Sequence, residues 1–138
     1  MNPACRAALV AGMAALGIAS QACHAQQTVR ATLRSDSIQL EPRDVKAGKV
    51  TFDVVNSADS DMTHELVVLK TELADGALPV RNGQVLEQRL HKVGEVEDIA
   101  PGKRRRLALT LAPGHYALIC NKPGHYSAGM HVALVVTR

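Results

Sequence analysis

The strongest constraint on this chain is an alternation of apolar and polar residues in short runs. Val50–Asn56 reads VTFDVVN, with Val50, Phe52 and Val54 at every second position. That period puts one face of an extended strand inward, and β-branched residues suit the pleat. Comparable runs fall at Val29–Arg34, Ser37–Leu40, His64–Thr71, Gly94–Ile99, Arg104–Leu111, Tyr116–Asn121 and His131–Thr137. The turn signals KAGK, NSADSD, APGK and APGH separate them. Seven or eight short strands predict an all-β Greek-key sandwich. One longer excursion lies between Thr71 and Val93. Within it Asn82–Lys92 is expected to be a short helix, with Val85, Leu86 and Leu90 on one face and Gly94 soon after as a stop.

The amino-terminal stretch is excluded from the fold. Ala7–Ala19 is an unbroken small and apolar run of 13 residues after Arg6, too short to span a bilayer and followed by polar residues. Cys23 and Ala25 place small residues at −3 and −1 of a cut after Ala25. The expectation is a cleaved signal peptide over residues 1–25 and an exported, periplasmic domain over 26–138, with no transmembrane span. A rival cut before Cys23 would attach a lipid anchor there, but Ser20 fits that signal poorly.

Fifteen of the 16 basic residues and all 13 acidic ones remain in the mature chain, a balance of +2 that makes no case for nucleic acid. Its aromatic residues are Phe52, Tyr116 and Tyr126, too few for base stacking. Cysteine usage is more informative. Cys5 and Cys23 leave with the leader, so Cys120 stays alone in an oxidising compartment. A lone thiol there is buried and inert, intermolecular, reactive, or bound to a metal.

The neighbourhood of Cys120 chooses among these. Cys120-x4-His125-x4-Met130 puts a thiolate, an imidazole and a thioether on one loop between two strands. Soft sulfur with imidazole suits copper, and two histidines, a cysteine and a weak axial methionine make a blue-copper electron-transfer site. His64, opening the run HELVVLK, is placed to supply the second imidazole from another strand. The other histidines read as structural. Parity puts Tyr116, Leu118 and Cys120 on one strand face and His115 on the other, so the two PGHY words serve different ends. His131 alternates away from Met130, and His91 reads as solvated. HELVV lacks the second histidine of a zinc-protease helix, with Val68 in its place. Met62 is an alternative thioether. Lys103–Arg106 (KRRR) reads as a solvated strand start or as a docking patch for an acidic partner.

The segments THELVVLK, VEDIAPGKRRRLALTLAPGHYALIC and CNKPGHYSAGMHVALVV resemble the cupredoxins, the family of plastocyanin, azurin and auracyanin, and more closely small exported bacterial cupredoxin-domain proteins. The likeness covers most of Val29–Arg138 and is weakest across Thr71–Val93. It implies one type 1 copper ion held by His64, Cys120 and His125 with Met130 axial. It also implies electron exit at the edge of His125 and no enzymatic chemistry. The function implied is a monomeric one-electron carrier between redox proteins such as a cytochrome or an oxidase. The alternative is a periplasmic carrier that buffers or delivers copper, and a metal-free sandwich used for protein contacts is a third reading. One departure stands out. Many members have an asparagine after the first histidine that ties the two ligand-bearing segments together, and here that residue is Glu65.

Overall fold

The computed structural model describes residues 26–138. The expected leader, its cut after Ala25 and the anchor at Cys23 lie outside the described residues. The alternating runs become the strands β1 (Gln27–Leu33), β2 (Ile38–Glu41), β3 (Asp44–Lys46), β4 (Gly48–Asn56) and β5 (His64–Lys70). After the excursion come β8 (His91–Ile99), β9 (Arg104–Leu111), β10 (Gly114–Ile119) and β11 (His131–Thr137). They build two sheets, ordered β2-β1-β4-β9 and β3-β11-β10-β5-β8. β1 runs parallel to β4 and β3 parallel to β11, while the remaining pairs in these two sheets are antiparallel. The expected all-β sandwich is the fold observed. β3 escaped the sequence reading because Asp44–Lys46 offers a single buried residue, Val45.

Parity decides what lies between the sheets. Val29, Ala31, Leu33, Val50, Phe52, Val54, Leu66, Val68, Leu118 and Leu134 are all but fully buried in one core. Each large apolar side chain there contributes about 1.5–3 kcal/mol of transfer free energy. Among the described residues, no helix is long and apolar enough to cross a membrane.

The predicted helix over Asn82–Lys92 is corrected. The segment forms a small hairpin, β6 (Val80–Arg81) and β7 (Gln84–Val85), then one 3-10 turn at Glu87–Arg89, and His91 already begins β8. Asn82-Gly83 is the reason. Both residues take positive φ, 52° and 78°, as a two-residue hairpin turn requires and an α-helix does not allow. Asn-Gly is the stronger local signal, and the spacing of Val85, Leu86 and Leu90 is fortuitous.

The excursion lies over the outer face of the β3-β11-β10-β5-β8 sheet. Leu78 and Val85 pack there on Val67, Leu69, Ala117, Ile119 and Tyr126, forming a second apolar cluster. The alternate face of β5 and β10 is therefore also buried, which is why HELVVLK and YALIC read as nearly continuous apolar runs.

Candidate metal centre

Three strand ends meet at one pole of the sandwich. β4 ends at Asn56, whose buried side-chain amide donates to the carbonyls of Met62 and Ile99, each at 2.8 Å. Ile99 closes β8 opposite His64, the first residue of β5. β10 arrives from the same sheet and delivers Cys120 just past its end. The loop 121–130 then turns back to β11. The N–H of Cys120 donates to the carbonyl of Met130 at 3.1 Å, and that of Met130 to the carbonyl of His125 at 3.1 Å. The loop backbone thus gathers Cys120, His125 and Met130. At Gly129 φ is +117°, and a Cβ would stand 2.5 Å from the carbonyl oxygen of Asp36, so only glycine fits.

His64, Cys120 and His125 form a metal-competent group. His64 Nδ1 lies 3.2 Å from His125 Nδ1 and 3.8 Å from Cys120 Sγ, and His125 Nδ1 lies 3.3 Å from the same sulfur. In a triangle with these edges the equidistant point is about 2 Å from each corner, the bonding distance of nitrogen and sulfur ligands. The donor set fits a soft or borderline ion of copper type. His64, Cys120 and Met130 are fully buried, and His125 alone of the four reaches the surface.

Electrostatics favour neutral imidazoles here. Burial pushes both histidines below the ordinary imidazole range. The neighbouring His125 adds to this at His64, and Lys122 does so at both. Burial pushes the Cys120 thiol up, opposed by the backbone N–H groups of Glu65 and Lys122. The Glu65 N–H reaches the sulfur at 3.4 Å. Although Pro123 has no N–H to offer, the sulfur is therefore not without a donor.

Two neighbours fix the donors. Ser60, buried, sits 2.9 Å from His64 Nε2. With Nδ1 turned to the other donors, Nε2 carries the proton and donates to Ser60 Oγ, which orients the ring. Glu65 takes the place of the family's asparagine. Its carboxylate accepts the N–H of Asn121 at 3.1 Å, so the two ligand-bearing segments are tied after all. Lys122 Nζ lies 3.8 Å from Glu65 and 3.0 Å from Asp98. Burial raises the Glu65 carboxyl above the ordinary range, with Lys122 and the Asn121 N–H pulling the other way.

Asn121 was not singled out by sequence. Its side chain accepts the Val85 N–H at 2.6 Å and donates to the Val85 carbonyl and to Glu87, at 3.1 and 2.7 Å. Its carbonyl accepts from Gln84 Nε2 at 2.9 Å. The Gly124 N–H donates to the Gly83 carbonyl, and the Leu78 N–H to the Tyr126 hydroxyl. The hairpin of the excursion therefore clamps the loop. Asparagine after a cysteine carries no sequence signal for such a role, and neither does a serine in the turn before His64.

The remaining sequence candidates lie apart from this group. His115 is exposed on β10, as parity expects. His131 Nδ1 lies 2.8 Å from Asp75, tying β11 to the excursion. His91 is exposed at the start of β8, and Met62 is 37% exposed.

Comparison with known proteins identifies a family of copper-binding proteins. The family described as copper binding proteins, plastocyanin/azurin family, matches residues 27–137. Auracyanin B is similar in structure at 26% identity and a TM-score of 0.58, over 83% of this chain and 90% of that one. Auracyanin A, described as a blue copper protein of Chloroflexus aurantiacus, is 22% identical with a TM-score of 0.57, over 81% and 99%. Rusticyanin from Thiobacillus ferrooxidans shares the fold at 18% identity and a TM-score of 0.54, over 81% and 77%. No curated protein sequence matches the chain. Sheet order, donor geometry and family match lead to one statement: the chain belongs to the plastocyanin/azurin family of copper-binding proteins.

Proposed function

We propose that the protein is a periplasmic one-electron carrier whose single copper ion would be held by His64, Cys120 and His125, with Met130 as the fourth donor. The observation that carries this reading is the triangle of three donors, closed on every side but that of His125. When bound, copper supplies a Cu(II)/Cu(I) couple. The protein's part is to keep the donors in one arrangement for both charges, through Ser60 on His64 and Glu65 on Asn121. The partly exposed ring of His125 is the path by which an electron leaves. Export follows from the residue 1–25 leader, cut after Ala25, with residues 26–138 acting as a monomer. Redox proteins, a cytochrome or an oxidase, are the partners.

The alternative is copper delivery from the same ligands, and the full burial of His64, Cys120 and Met130 speaks against ready release. Voltammetry and copper-transfer assays separate the two. Electron transfer predicts fast, reversible cycling and retention of copper beside an acceptor apoprotein. Sluggish cycling with prompt transfer of copper would overturn it.

A further inference from the structure

The sequence left Lys103–Arg106 between two readings, a solvated strand start and a docking patch, and the sheet register gives it a setting. Pairing across the β2-β1-β4-β9 sheet sets Glu41, Arg30, Asp53 and Arg106 in one row. The next row toward the ligand pole holds Gln39, Thr32, Val55 and Arg104. All of these alternate away from the core, and so does Lys49. Arg30, Lys49, Arg104 and Arg106 are exposed, and Arg34 follows at the ligand end with its side chain 43% exposed. Five basic residues thus share the face with Glu41 and Asp53 and, at its ligand end, with Asp59. Arg104 Nε lies 3.2 Å from Asp53 and the Arg34 guanidinium 3.5 Å from Asp59, which leaves Arg30, Lys49 and Arg106 without such an ion pair among the described residues. Beside this row a groove of about 710 Å³ collects Arg30, Arg34 and Arg43, with Glu41, around Thr32 and Gln39.

We propose that this face docks the acidic surface of a partner protein. Charge complementarity is the first reason, since opposed patches steer encounter and fix orientation. The pattern is the second. Basic and acidic residues alternate along the Glu41–Arg30–Asp53–Arg106 row, so it is matched only by a partner whose carboxylates are fixed opposite Arg30 and Arg106 and clear of Glu41 and Asp53, an arrangement fluid headgroups do not hold. The absence of an apolar anchor on the face is the third. The exposed large apolar residues, Met62, Leu73, Val80 and Val135, all lie off these four strands, whereas surface-bound membrane proteins insert such side chains. Thr28, Thr32, Thr51 and Thr110 occupy the space between the charges. The face contains no copper donor, so its binding is measurable on metal-free and copper-loaded protein alike, and its failure leaves the proposed function untouched.

The test uses poly-L-glutamate as the acidic probe, with two competing probes: vesicles of phosphatidylglycerol and phosphatidylcholine in equal parts, and inorganic phosphate. Arg30→Glu/Arg104→Glu/Arg106→Glu is compared with Arg81→Glu/Arg89→Glu/Arg138→Glu, which changes net charge equally at exposed positions off this sheet. The expected result is binding of polyglutamate that weakens with salt and falls roughly ten-fold or more in the first variant, but only about two-fold in the second. Equal loss in both variants would reduce the effect to net charge and overturn the proposal. Absence of polyglutamate binding, arginine-dependent binding to the vesicles alone, or full displacement by phosphate would overturn it as well.

Discussion

Glu65 meets the Cys120 segment twice: its N–H points at the cysteine sulfur at 3.4 Å, and its carboxylate accepts the N–H of the next residue, Asn121, at 3.1 Å. One residue of β5 thus holds both the donor atom and the backbone that follows it. A carboxylate in place of a neutral amide also brings charge, which is felt at the thiol and disfavours its ionisation.

That charge favours the more positive oxidised ion. Glu65→Gln keeps an acceptor for Asn121 and removes the charge, so the reduction potential should rise. Lys122 offsets part of the effect, leaving about 1 kcal/mol in the free energy of reduction. Voltammetry at pH 8 checks this, and an unchanged or lower potential in Glu65→Gln would contradict it.

Ser60→Ala removes the partner of His64 Nε2 and leaves a buried N–H without an acceptor. Copper affinity should fall roughly 10- to 100-fold, and stability of the metal-free protein by about 1–3 kcal/mol. Competition with a copper chelator and urea unfolding read the two effects. Ser60→Thr, which keeps the hydroxyl, should restore most of the affinity.

Asn121→Ala cuts three side-chain hydrogen bonds to the excursion, two to Val85 of the hairpin and one to Glu87 of the 3-10 turn, while leaving all four proposed donors in place. The unpaired Val85 groups and the lost bonds should cost about 2–4 kcal/mol. The looser loop should also broaden the copper EPR signal, a change that simple destabilisation would not produce below the melting transition.

Acid should unfold the metal-free protein early. Burial holds His64 and His125 below 6.5, so the unfolded chain takes up their protons first and stability falls as pH drops through 6.5. Glu65 has the opposite sign. Its folded carboxyl is raised above 4.5, so its contribution is present below 4.5 and lost as pH rises through the folded value. Urea unfolding between pH 7.5 and 5.5 should show the histidine slope; a flat or rising stability would contradict it.

Much of this was legible in the sequence because it is periodic. Alternation in VTFDVVN fixes which residues face the core, and strand parity separates His115 from Cys120 without coordinates. The spacing after Cys120 singles out His125 and Met130, and the head of a strand singles out His64, as the donors of the proposed site. The excursion was misread because three apolar residues at helical spacing outweighed Asn82-Gly83, the stronger local signal. Ser60, Glu65 and Asn121 escaped for a different reason. Each acts through one hydrogen bond or a few to residues between four and 56 positions away, and no periodicity encodes such a contact. The family departure at Glu65 marked the position but not what it does.

The most direct test of the account is the visible and EPR spectrum of the copper-loaded protein beside Cys120→Ser. A thiolate on copper predicts an intense charge-transfer band in the native protein that is lost in the variant, while His115→Gln leaves it intact. Retention of the same band in Cys120→Ser would contradict the central claim.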